Sequence, residues 1–259
     1  LALSVASKKM LNTLGVNIKT EAVTKMIVIE GGLGDEKIKS KLSFDRELVD
    51  EDIAYIAEHS VIEKSIDRVL KLNENEFIKE KVIKILKEGN LSKIILNNNE
   101  CLLSKAIIFT EVLDRDLQNI YNVKYNFFEY GQTAISATLR HSKGHKGYAF
   151  QFFQKNGPLA LLPMINKRGN NYSSLVWTEK TDNISSLISS KKNLEDSLNK
   201  LCSDYLGKIS ISKGPSSFVL KKLSGVNAVS NGALFVGDAL RAMHPCLLYT
   251  SPSPRDGLL

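Results

Sequence analysis

The chain has 259 residues, is 43% hydrophobic and 24% charged, and carries a formal net charge of +7. Such a balance describes an ordinary globular protein long enough for one elaborate domain or two small ones, and excludes a chain disordered throughout. No uninterrupted apolar run reaches the ~18 residues a membrane-crossing helix needs, and the lysines are interspersed with acids (Glu80, Lys81, Lys84, Lys87, Glu88), so the basic balance reads as solvated surface and no nucleic-acid partner is expected.

Cys101, Cys202 and Cys246 are scattered without metal-ligand spacing, which argues for reduced thiols and no metal. A cytoplasmic location is the matching expectation, since no basic-then-apolar leader opens the chain.

In chain order, Ser4 is placed as an N-cap, Met10, Leu11 and Leu14 make an apolar stripe and Gly15 a stop, which predicts a helix over 5–14. Residues 22–29 and 37–44 read as strands around Gly31-Gly32-Leu33-Gly34-Asp35. No lysine-serine pair or helical pattern follows those glycines, so they read as a hairpin turn rather than a phosphate loop. Asp50 is placed to cap a helix running through Ile56, and Ser60 another over 61–72 with Ile62, Ile66 and Leu70 on one face. From 75 to 109 the patterns conflict: Phe77, Val82, Ile85 and Leu86 fit a helical stripe, whereas 93–96 and 102–109 fit a hairpin around Asn97-Asn98-Asn99-Glu100. Strands are expected after Leu91, with 76–87 left open.

The stretch 130–178 reads as an antiparallel sheet. Thr133, Ile135, Ala137 and Leu139 fall on one face and Gln132, Ser136, Thr138 and Arg140 on the other, and 147–153 alternates again with Tyr148, Phe150 and Phe152 on a single face. Turns at 141–146, at Asn156-Gly157-Pro158 and at 166–171 separate four strands, which joined in order predict a meander with one aromatic face. That row can be sheet core or the wall of a pocket. His141 and His145 bracket Gly144 without a third ligand and read as polar residues of an exposed turn. Leu187, Leu194, Leu198 and Leu201 stripe a helix over 185–206, and 216–220 returns to the sheet. Finally Ala233-Leu234-Phe235-Val236-Gly237-Asp238-Ala239 is an apolar strand ending in a glycine and a carboxylate, placed to accept hydrogen bonds from sugar or ribityl hydroxyls at a sheet's carboxyl edge, or simply to cap a helix.

The blocks YGQTAI, H-x-G-x-A-F-x-F from His145, GPLALLPM from Gly157 and SLVWT from Ser174 together resemble the ubiquinone-biosynthesis branch of the flavin-dependent aromatic hydroxylases, relatives of para-hydroxybenzoate hydroxylase. The resemblance runs from Leu1 to Pro245 and is thin over 18–123. It implies an α/β (α+β mixed) fold: a partial FAD-binding Rossmann-like domain from 1–18, 44–123 and 224–245, with a substrate-domain hairpin at 19–43 and an antiparallel substrate-domain sheet at 124–223. It also implies an upstream dinucleotide fingerprint beyond this fragment, while 246–259 reads as translated sequencing adapter.

The implied chemistry is reduction of FAD by NAD(P)H, reaction with dioxygen and transfer of one oxygen to the ring of a prenylated phenol, with no catalytic side chain named. Gly237, Asp238, Ala239 and Pro245 match the family's G-D-A-A-H-x-x-H-P run, in which the aspartate holds the FAD ribityl chain and the proline lies beside the flavin; Leu240 and Arg241 depart from it. Glu58 keeps the acid of the family's E-N-R while Ser60 loses its arginine. Aligned on A-D-G-x-x-S-x-x-R, Thr110 to Gln118 place Glu111 at the acid, Val112 at the close-approach glycine and Gln118 at the arginine. Tyr148, Phe150 and Phe152 are the implied substrate wall. A ubiquinone-biosynthesis complex and peripheral attachment to the inner membrane face are partners the resemblance allows. The alternative is a divergent, non-catalytic member that binds a quinone precursor or serves as a scaffold, and a more distant one is a flavin-dependent reductase of the same fold.

Overall fold

The computed structural model describes residues 1–31, 40–48, 50–72, 77–224 and 227–242. In chain order the elements are β1 (Ala2–Leu3), α1 (Val5–Thr13), β2 (Glu21–Val23), β3 (Lys25–Glu30), β4 (Ser40–Asp45), β5 (Ala54–Ile56), α2 (His59–Leu72), β6 (Val82–Glu88), β7 (Leu91–Leu96), β8 (Cys101–Ser104), β9 (Ile107–Phe109), α3 (Arg115–Ile120), β10 (Asn126–His141), β11 (Tyr148–Phe153), β12 (Leu159–Lys167), β13 (Asn170–Lys180), α4 (Thr181–Leu187), α5 (Lys191–Leu206), β14 (Ile209–Ser224), β15 (Val229–Ser230) and β16 (Ala233–Phe235). Mostly strands with few helices, this is the mixed α/β composition expected. No helix among the described residues is long and apolar enough to cross a membrane.

Residues 1–74 and 131–219 pack as one compact unit, and 75–130 with 220–244 as a second. The boundaries implied by the resemblance, at 18, 43, 123 and 223, follow function and not packing.

The first unit is organised by a seven-stranded sheet in the order β14-β10-β13-β12-β11-β3-β4. The four expected strands form, but they are not a meander and the sheet is not wholly antiparallel. β10 pairs with β13, from Gln132 opposite Lys180 to His141 opposite Asn171, and β11 pairs in parallel with β3, Phe150 opposite Ile27. The stretch 142–147 is therefore no hairpin turn. It carries the chain past the ends of two strands, three spacings or about 14 Å, within reach of six residues at ~3.3 Å each.

On one face of this sheet Ile135, Leu139, Phe150, Phe152, Leu159, Leu161, Leu175 and Trp177 are buried against Leu194, Leu198, Leu201 and Leu206 of α5. The helix expected over 185–206 is in fact two. Ser190 breaks the run, its hydroxyl accepting from the Asn193 amide as the N-cap of α5, and Gly207 ends that helix at φ +70.

α1 starts where Ser4 caps it and stops before Gly15. The helix expected from Asp50 through Ile56 is instead strand β5, because 54–56 are taken up as the central strand of a small antiparallel sheet, Tyr55 facing Leu3 of β1 and Ala22 of β2. Asp50 sits at φ 53, a turn conformation and not a cap. α2 begins one residue before Ser60, with Ile62 buried. Of the glycine-rich turn, Gly32 to Asp35 lie outside the described residues, as do His244, Pro245 and all of 246–259.

Gly157 makes the turn between β11 and β12. With φ +148, a Cβ there would lie 2.6 Å from the Thr178 carbonyl oxygen, a backbone atom that cannot step aside. Gly157→Ala is expected to destabilise the chain by about 1–3 kcal/mol, read as a lower urea midpoint at unchanged slope; an unmoved midpoint would refute the strain.

In the second unit β6, β7 and β8 form one antiparallel sheet, so the open 76–87 region resolves to a strand from Val82, and the 97–100 turn is the β7–β8 hairpin. The expected single strand over 102–109 splits, since β9 leaves that sheet to pair in parallel with β16. Phe235, Tyr121 and Phe109 centre this unit's core, Phe109 stacked on Phe235 at 5.5 Å between centroids.

Candidate functional site

The parallel pair β9–β16 fixes the chemistry available in the second unit. Ala233 faces Ile107, Phe235 faces Phe109, and the Val236 amide donates to the Phe109 carbonyl at 3.0 Å. Both strands thus end at the same carboxyl edge, which brings Gly237-Asp238-Ala239 and Glu111-Val112 to one place, the edge where nucleotides bind parallel sheets. Two stretches more than a hundred residues apart in sequence, each matched to a flavin motif, converge there.

Gly237 has φ +57, and a Cβ on it would meet only the Thr110 carbonyl oxygen, at 3.6 Å, so its outer side is open to a ligand. Asp238 is exposed and no described residue pairs with its carboxylate. Ala239 is buried. An approachable backbone beside an unspent carboxylate fits a polyhydroxyl chain such as the ribityl of FAD. The side chain of Val112 is exposed, and the Gln118 carboxamide donates to the Leu113 carbonyl at 2.7 Å.

Tyr125 is a residue the sequence reading missed. Its hydroxyl donates to the Ala239 carbonyl at 2.9 Å and accepts from the Leu113 amide at 3.4 Å, tying the two converging loops together; burial pushes its phenol above the usual range. A lone tyrosine just ahead of a strand carries no sequence signal for such a role.

In the first unit the aromatic row expected to wall a substrate is core. Phe150 and Phe152 lie under α5, 5.1 and 5.5 Å from the Tyr205 ring, and only Tyr148 keeps partial exposure. The other face is covered only in part: Met26, Ala149 and Leu162 are buried there against Val23 and Ile56, whereas Ser136, Thr138, Ser174 and Val176 are partly exposed. Gln151 points to that face from the middle of β11, 0% exposed, with neither carboxamide atom hydrogen-bonded. It too went unread, although one polar residue inside Tyr-Ala-Phe-Gln-Phe-Phe marks the non-core side of the strand.

Glu58 follows β5 and pairs with Lys167 of β12. Its carboxylate is paired within the first unit and sits on the rim of a small cavity. His141 and His145, expected in an exposed turn, are both buried and hydrogen-bonded. Among the described residues no cluster of His, Cys, Asp or Glu could hold a metal ion.

No family model matches the sequence. The chain is similar to ubiquinone hydroxylase UbiL of Rhodospirillum rubrum, 36% identical over 117 residues that make up 45% of this chain and 26% of UbiL. Its fold is that of p-nitrophenol 4-monooxygenase PnpA from Pseudomonas putida, with TM-score 0.71 and 13% identity over 94% of this chain and 64% of that one. It is also that of halogenase PltM, solved in complex with phloroglucinol and FAD, with TM-score 0.64 and 10% identity over 92% and 51%. The sequence relationship bears out the resemblance to the ubiquinone hydroxylases. The structural likeness, at these identities, establishes the fold and not the reaction. The chain spans less than two thirds of the length of the curated relatives it matches.

Proposed function

We propose that this chain is part of an FAD-dependent monooxygenase that hydroxylates the aromatic ring of a prenylated phenol in ubiquinone biosynthesis, with dioxygen as co-substrate and NAD(P)H as reductant. The observation that carries the reading is the shared carboxyl edge of β9 and β16, where Gly237 leaves the backbone approachable and Asp238 keeps a carboxylate with which no described residue pairs. The relationship to UbiL supplies the substrate class.

When bound, FAD supplies the redox chemistry and the activation of oxygen. In this proposal Asp238 accepts from the ribityl hydroxyls, Gly237 and Ala239 hold the backbone against the cofactor, and Tyr125 keeps both loops in place. Residues 1–18, 44–123 and 224–245 would belong to the cofactor domain and the large sheet to the substrate. The partly polar face carrying Ser136, Thr138 and Ser174, not the aromatic core, is the one free to meet a ring and exclude water from it. Membership in a biosynthetic complex follows from the resemblance alone.

A second reading, a scaffold that binds a quinone precursor without turnover, is favoured by Val112 in place of a close-approach glycine and by a Gln118 side chain engaged with Leu113. The full-length protein separates the two. Asp238→Ala removes one charge-assisted hydrogen bond, worth roughly 1.5–3 kcal/mol, and is expected to weaken FAD binding about ten- to a hundredfold while the circular dichroism stays unchanged. Wild-type protein should oxidise NAD(P)H and yield hydroxylated prenylphenol, with peroxide measured separately. Protein that holds flavin tightly yet gives neither product nor peroxide would favour the scaffold.

A further inference from the structure

The seven-stranded sheet ends at β4, and no described strand lies on its outer side. Edge strands are commonly shielded by a proline, a bulge or an inward-pointing charge. β4 reads Ser-Lys-Leu-Ser-Phe-Asp over 40–45, without proline, and pairs with β3 in unbroken register from Lys25 opposite Asp45 to Glu30 opposite Ser40. It also brings two large apolar side chains to the surface. Leu42 is 60% and Phe44 49% exposed, on the face they share with Val28 and Met26 and away from α5.

The β3–β4 ladder fixes where the free backbone groups of β4 point. The Arg46 amide donates to the Thr24 carbonyl at 3.0 Å, so the even-numbered residues spend their amides and carbonyls on β3, and Lys41, Ser43 and Asp45 aim theirs outward. A second β4 laid antiparallel, Ser43 against Ser43, sets outward-aimed residues opposite each other and closes about six backbone hydrogen bonds. In that register the sequence is its own complement. Lys41 falls opposite the partner's Asp45, Leu42 opposite the partner's Phe44, and the small Ser43 lies on the two-fold axis. A slip of two residues one way sets Lys41 against Ser43, and the other way Leu42 against Arg46. Asp45 already meets Lys25 at 3.0 Å, so in the pair its carboxylate sits between two ammonium groups.

We propose that β4 pairs with the β4 of a second copy of this chain, joining two seven-stranded sheets about a two-fold axis at Ser43. One strand pair buries less than a standard interface, so the association is weak and sets in at about 0.1–1 mM chain. The Lys41–Asp45 contacts fix the register more than they add affinity, and salt screens them.

Sedimentation of the chain as it stands, from about 10 μM to about 1 mM at low ionic strength, should show a monomer passing to a dimer. Ser43→Pro should keep it monomeric, because proline removes an outward N–H that the monomer does not use and an edge strand accepts it there. Lys41→Glu, at an exposed position, sets like charges opposite each other twice and should weaken the dimer about four- to thirtyfold. A zero-length carbodiimide should join Lys41 to Asp45, read by mass spectrometry. A single chain cannot make that link, since four residues of strand hold the two about 13 Å apart. A chain monomeric throughout, a dimer unmoved by Ser43→Pro, or a dimer without the Lys41–Asp45 link would each overturn the proposal, and the first would leave the edge to an unlike strand. Should Ser43→Pro fail to fold, Lys41→Glu and the cross-link decide. No readout involves flavin, so a negative result leaves the monooxygenase reading untouched.

Discussion

Phe152→Ala is expected to destabilise the protein by about 3–5 kcal/mol, lowering Tm by roughly 6–20 °C, because it deletes a ring that is 1% exposed and packed between the sheet and α5. The neighbouring Phe153→Ala is the control. Phe153 is 39% exposed and points to the opposite face, so its truncation should change stability by no more than about 0.5 kcal/mol. Thermal and urea melts of the two variants read the difference directly. A Phe152→Ala chain that melts like its parent would restore the substrate-wall role for the aromatic row. Under the proposed function, the expected result leaves that role to the partly exposed side carrying Ser136, Thr138 and Ser174.

That row shows what alternation can and cannot say. A period of two in Thr133, Ile135, Ala137 and Leu139 gives the strand and its buried side, and the structure keeps both. It says nothing about which strand lies alongside. β10 was expected beside β11 because they are consecutive, yet a long ladder to β13 leaves β10 on the far side and opens one edge of β11 to a parallel partner, β3. Nor does alternation tell which face a helix covers. Leu194, Leu198 and Leu201 announce an apolar helix face, and only tertiary packing puts it on Phe152 rather than Gln151. β5 was lost for a related reason: three residues are too few to display a period, and Asp50 looked like a cap when it is a turn.

The candidate site was legible in part. Gly237 and Asp238 announced themselves as a glycine and an acid closing an apolar strand, and the parallel β9–β16 pair places them at the kind of edge that pattern implies. Tyr125 was invisible because its role depends on a hydroxyl reaching Ala239, 114 residues away. The resemblance alone assigns Glu58 to a cofactor, and its salt bridge to Lys167, a residue with no motif around it, carries no sequence signal.

The histidine strap should make the first unit sensitive to acid. His141 is 4% exposed; its Nδ1 faces the Lys143 carbonyl at 2.8 Å, which can only accept, so Nδ1 carries the proton and Nε2 accepts from the Ser173 hydroxyl at 3.0 Å. His145, its ring centroid 6.0 Å away, accepts at Nδ1 from the Gly147 amide and donates from Nε2 to the Met164 carbonyl, fastening the crossing stretch 142–147 onto β12. These bonds suit two neutral rings. Burial pulls the His141 pKa below its ordinary 6.5, helped by the charge His145 would carry and opposed by the Lys143 carbonyl. In the unfolded chain the ring takes up its proton near pH 6.5 while the folded ring resists. The stabilisation is therefore complete above about pH 6.5 and is lost as pH falls from there toward the depressed folded value, at no more than about 1.4 kcal/mol per pH unit for one histidine. At neutral pH, His141→Ala should cost about 2–4 kcal/mol, since the Ser173 hydroxyl and the Lys143 carbonyl both lose their partner. Urea midpoints of the parent and of His141→Gln, compared at pH 7.5 and 5.5, make the test. The parent should lose more stability over that interval than the variant, and equal losses would show that His141 takes up no proton on unfolding.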